Sequence, residues 1–127
     1  KTQKCKEKGN DIGSSLVSAR VMEEAPVIIL VYNPDGFLKY KTEDRDYYWW
    51  SVDTQSIGGL IQTMLLAATD MGLGTLWICD VFFADREITE WLNREDELIG
   101  AIALGYPDEN PEARQRKFIS EVTTWLK

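Results

Sequence analysis

Apolar positions along the chain fall into patterns of two kinds. In SSLVSARVMEEA, Leu16, Val17, Val21 and Met22 recur at near-helical spacing, which predicts a short helix that Pro26 stops. VIILVY follows as a continuous β-branched run, the signature of a strand covered on both faces, and NPDG closes it with turn residues. Residues 36 to 50 read as a polar and aromatic connection ending in DRDYYWW. The longest helix is expected next, with Ser51 or Asp53 as its N-cap. Ile57, Leu60, Ile61, Met64, Leu65, Ala68 and Met71 form its apolar stripe. Gly72 stands where a left-handed residue ends such a helix.

TLWIC reads as a second buried strand. ADREITEWLN reads as a short helix capped by Asp85, with Ile88, Trp91 and Leu92 facing inward. LIGAIALGY is a third strand, ended by YPDENP, and ISEVTTWL a terminal helix. Strands alternating with helices predict an α/β or α+β sheet layered with helices. Three strands make a thin sheet for this much apolar surface, which points to a partner chain or to further sequence.

The chain has 127 residues, the size of one domain, so residues 1–127 are taken as a single unit. No run approaches the ~20 apolar residues of a membrane span, and no signal peptide is evident, so a cytoplasmic protein is expected. A net charge of −7 argues against nucleic acid as the main partner. The chain contains no histidine, which excludes Ser-His-Asp and Cys-His relays and imidazole metal sites. Its two cysteines, Cys5 and Cys79, have no metal or disulfide spacing. Chemistry, if the protein performs any, is then expected from a cofactor.

Three stretches in order carry a resemblance: SARVMEEAPVIILVY, IQTMLLAATDMGLGTLWICDVF and LIGAIALGYPDENPEARQRKFISEV. Together they resemble the FMN-dependent nitroreductases over nearly all of residues 16 to 126. That family begins with helices carrying an Arg-Arg-Ser-x-Arg type motif, and KTQKCKEKGNDIGSS has no counterpart to it. The resemblance therefore implies an α+β, nitroreductase-like three-layer α/β/α sandwich, N-terminally truncated. It implies an oxidoreductase passing electrons from NAD(P)H (NADH or NADPH) through FMN to nitro, quinone or similar acceptors by a ping-pong route, and a homodimer with flavin at the interface.

By the same resemblance, Trp77, Ile78, Cys79 and Asp80 border the flavin ring, where a backbone N–H donates to N5. Many relatives carry glycine at the position of Cys79 or Asp80. Arg114 and Arg116 match the register of a basic pair that reaches the FMN phosphate, and an arginine fork suits that task. No metal and no catalytic side chain is expected, since the flavin carries the chemistry. The other reading is a non-catalytic dimeric module on the same fold without flavin. The aromatics of DRDYYWW read as core or interface packing, or as the wall of a substrate pocket.

Overall fold

The computed structural model describes residues 13–36 and 44–126. Its elements are α1 (Ser15–Glu24), β1 (Val27–Asn33), α2 (Asp44–Asp70), β2 (Gly74–Ile78), a 3-10 turn (Asp80–Ala84), α3 (Asp85–Trp91), β3 (Glu97–Gly105) and α4 (Ile119–Val122). The sheet order is β1-β3-β2, with β3 antiparallel to both neighbours. The last strand in sequence is thus the middle strand in space. β1 and β2 run in the same direction, and their C-terminal ends lie at the same end of the sheet.

Alternation along the strands sends side chains to two cores. Ile28, Leu30 and Tyr32 of β1 join Leu98, Ala101 and Ala103 of β3 and Ile78 of β2, and α1 covers them with Val21 and Met22. Ile29 and Val31 join Ile99, Ile102 and Trp77 on the opposite face, beneath Ile57, Ile61, Met64 and Leu65 of α2. This is a three-layer α/β/α arrangement. A register shift between Val31 and Tyr32 pairs them with Gly100 and Leu98, leaving Ile99 as an extra residue. That bulge explains how Leu98 and Ala101, an odd number apart, reach the same face.

Gly72 ends α2 as its position predicts. Its φ is 74°, its N–H donates to Thr69 O at 3.0 Å, and Leu73 N–H donates to Ala68 O at 2.9 Å. This is the paired closure of a Schellman motif, which frees the next residue to enter a strand.

Several expectations shift. α2 starts at Asp44, ahead of Ser51 and Asp53, so much of the expected connection is helix; residues 37–43 of it lie outside the described residues. The tie that favours an early start is Trp50, whose indole N–H donates to both Glu97 carboxylate oxygens at 2.9–3.0 Å. Leu60 and Met71 of the predicted stripe are exposed. β2 ends at Ile78, one residue before Cys79.

In α3, Ile88 packs inward, but Trp91 is 79% exposed and Leu92 lies outside the core. The helix stops as it reaches them, and left-handed Asn93 (φ 52°) turns the chain away. Asp85 is the first residue of α3 and not its N-cap, and its Oδ1 accepts the Arg86 N–H at 2.6 Å. The terminal helix is a single turn, because Thr123 is extended at φ −126°, ψ 132° and the exposed Thr124, Trp125 and Leu126 follow without packing.

Candidate functional site

The end of β2 divides its residues between faces. Trp77 turns toward α2, passing Gly58 of that helix and lying close over Gly100 of β3. A Cβ at Gly58 would lie 3.9 Å from its Cη2, and one at Gly100 would lie 3.0 Å from its Nε1. That Nε1 is buried and has no hydrogen-bond partner among the described residues. Ile78, 2% exposed, turns the other way into the core with Val81. The side chains of Trp77 and Ile78 are therefore held by packing, whereas Cys79 is exposed and Asp80 half-buried.

Cys79 has φ −90°, ψ −19°, so the chain leaves the extended conformation there and enters the 3-10 turn. Phe82 N–H closes back onto Cys79 O at 3.1 Å. The N–H groups ahead of Phe82 are the leading groups of a helical turn, which its own carbonyls do not satisfy. The Cys79 thiol is free and exposed. Asp80 is held from the side: Ser14 Oγ donates to its Oδ2 at 2.8 Å and Ser18 Oγ donates to the same atom at 2.7 Å. The resulting geometry is a rigid strand end, a turn with donors pointing off it, and one carboxylate fixed against α1.

Arg114 and Arg116 are exposed and form no hydrogen bond or ion pair among the described residues. Gly105 pairs with Gly74 and Ala101 with Ile78. The tail therefore leaves the sheet at the end of β2 opposite to Cys79, about 16 Å away at ~3.3 Å per residue. Trp77 to Asp80 are contiguous at this strand end, and the tail that carries the two arginines starts from the opposite end of β2. The nine residues from Gly105 to Arg114 can span up to roughly 30 Å when extended, so the separation is within the reach of the arm.

Surface cavities are lined by other described residues, the first reaching the 3-10 turn at Phe82. One of about 830 Å³ opens between the end of β1, the start of β3 and α3, lined in part by Phe82, Arg86, Glu90 and Arg94. Both of its arginines are ion-paired with carboxylates of the same lining. Arg86 Nε meets Glu90 Oε1 at 2.7 Å, Arg94 meets Asp96, and Arg94 also lies 4.6 Å over the Tyr32 ring. The hydrogen bond that Arg86 donates to Glu90 raises the pKa of the exposed Arg86, keeping it charged. A second cavity of about 470 Å³ lies where β2 begins, between Pro26, Leu76, Tyr106 and Pro107. Among the described residues no group of acidic, cysteine or histidine side chains is arranged to hold a metal ion, and no helix is long and apolar enough to cross a membrane.

Ser14 and Ser18 are the site residues that the sequence pattern did not single out. Their spacing of four on one helix is legible, but their partner lies 62 to 66 residues away.

Comparison with known proteins bears on this geometry. The Nitroreductase family profile matches residues 2–106. The presumptive NAD(P)H nitroreductase YfhC of Bacillus subtilis (strain 168) is 32% identical over 85 residues, covering 65% of this chain and 44% of YfhC. The crystal structure of a presumptive nitroreductase in complex with FMN from Desulfovibrio desulfuricans superposes with a TM-score of 0.64 at 23% identity, over 90% of this chain and 64% of that one. The chain thus spans a little under half the length of the curated relative and about two-thirds of the structural one.

Proposed function

Because the chain belongs to the nitroreductase family, we propose that it acts in an FMN-dependent oxidoreductase that moves electrons from NAD(P)H to nitro, quinone or similar acceptors in a ping-pong sequence. The observation that carries this reading is the turn at Cys79: a strand end held by two cores, with leading N–H groups that the turn itself leaves unused. Donors of this kind suit a ring nitrogen, and a backbone fixed on a buried strand holds them in place before a ligand arrives. When bound, FMN supplies the hydride-accepting atom, so no titrating side chain is required.

In this reading Trp77 and Ile78 contribute rigidity and backbone, and Cys79 and Asp80 border the ring. Arg114 and Arg116, neither paired among the described residues, are the donors for the phosphate. The name of YfhC supports NAD(P)H as the reductant, and the FMN in the Desulfovibrio structure supports the cofactor.

A homodimer with flavin at the interface belongs to the same reading. Its support is the surface the sheet leaves uncovered. β1 and β2 are both edge strands of the three-stranded sheet. Tyr47, Tyr48 and Trp49 on α2 and Phe118, Trp125 and Leu126 in the tail are exposed large apolar side chains, more than single scattered residues explain. A cytoplasmic location is the further part of this reading, and the free Cys79 thiol accords with it.

The rival reading is a non-catalytic dimeric module on the same fold. The start of the tail at the far end of β2, where Gly105 pairs with Gly74, favours it. Titration of the purified chain with FMN separates the two. The oxidoreductase reading expects saturable binding, bleaching of the bound flavin by NAD(P)H without oxygen, and weaker binding after Arg116→Ala. A folded dimer indifferent to FMN overturns it and leaves the module.

A further inference from the structure

Ser14 occupies the N-cap of α1, where a serine hydroxyl ordinarily accepts a hydrogen bond from the leading N–H groups of its helix. It makes no capping bond. Its hydroxyl is turned to Asp80 Oδ2 instead, and Ser18, one helical turn on and 8% exposed, is turned to the same oxygen. Two hydroxyls on one helix face thus converge on a carboxylate that opens the 3-10 turn after β2. Hydroxyl bonds to a charged acceptor are among the stronger neutral-donor bonds. Holding Oδ2 from two directions fixes the rotamer of Asp80, and with it the backbone between Cys79 and Val81.

We propose that Ser14 and Ser18 are positioning residues for the flavin-bordering end of β2. They draw the Asp80 carboxylate back against α1, so that the turn keeps its shape and the negative charge is set away from the ring. The inference rests on the reading that this turn borders FMN. Its physical content is electrostatic. A carboxylate close to the ring opposes the negative charge that reduction adds, and the opposition falls with distance. Releasing the carboxylate from the serines and removing its charge therefore act in opposite directions on the ease of reduction. A clamp that only joined two elements would give no such opposition.

The test measures FMN affinity by fluorescence and the reduction potential of the bound flavin in the full chain. The variants are Ser14→Ala/Ser18→Ala, Asp80→Asn, the triple combination, and Ser14→Thr/Ser18→Thr. Loss of both serines is expected to weaken FMN binding about tenfold. It is also expected to make the bound flavin harder to reduce, whereas Asp80→Asn makes it easier to reduce. With Asn at position 80, removing the serines should shift the potential no further, and the threonine pair should restore wild-type values.

If the double alanine variant does not fold, Ser14→Ala alone removes one of the two bonds at an exposed position and should show the same direction. A potential unchanged by loss of the serines, or shifted equally with Asp or Asn at 80, overturns the inference while FMN binding stands. A wild-type chain that binds no FMN overturns the oxidoreductase reading and this inference together.

Discussion

Leu98 to Ala103 of β3 are buried along their whole length, whereas Phe118, Ile119, Val122, Trp125 and Leu126, in a segment also rich in apolar side chains, are exposed. β3 has a strand on either side and a helical layer on either face, so its central side chains meet partners within the chain. The tail leaves the sheet at Gly105 and passes YPDENP, where two prolines bar regular pairing. Apolar content selects what a segment buries when a partner surface exists; it does not create the surface. The comparison locates the stability of the fold in β3, and an unmet demand for a partner in the tail.

The sharpest way to break that contrast is Ile102→Ala, which empties a 2% exposed position under α2. It should cost about 2–5 kcal/mol in urea unfolding, enough to unfold much of a marginal domain. Gly100→Ala should cost about 1–3 kcal/mol, because the new methyl meets Trp77 Nε1 at 3.0 Å in a packed layer. Gly72→Ala tests the boundary between α2 and β2: its φ of 74° makes a side chain cost about 1–2 kcal/mol despite open space around it.

At the small end, Trp125→Ala and Leu126→Ala should each change monomer unfolding by no more than about 0.5 kcal/mol. The same tail variants sharpen the comparison at higher concentration. Sedimentation should show a weakened dimer if the tail finds its surface on a second copy. An equal effect on monomer stability would mean that the tail packs within its own chain.

The elements that were legible in the sequence are those whose cause is local. VIILVY and LIGAIALG read as strands because they are short, apolar and β-rich, and Gly72 read as a helix stop because its place demands a positive φ. The start of α2 at Asp44 was not legible, since what supports it is Trp50 reaching Glu97, 47 residues away. Trp91 carried the right helical spacing and missed the core because α3 ends too soon. Order along the chain placed Cys79 and Asp80 together at a strand end. It could not show that the tail carrying Arg114 and Arg116 starts from the other end, because that follows from β3 lying antiparallel to β2. The serine clamp on Asp80 is invisible for the same reason.

The most direct test of the account is protection of the Cys79 thiol. In a Cys5→Ala chain, the rate of Cys79 modification by a maleimide is measured with and without FMN. If the turn at Cys79 borders the flavin, FMN at about ten times its Kd should slow modification about tenfold. Prior modification should abolish FMN binding. An unchanged rate in the presence of saturating FMN would contradict the account and remove Cys79 and Asp80 from the site.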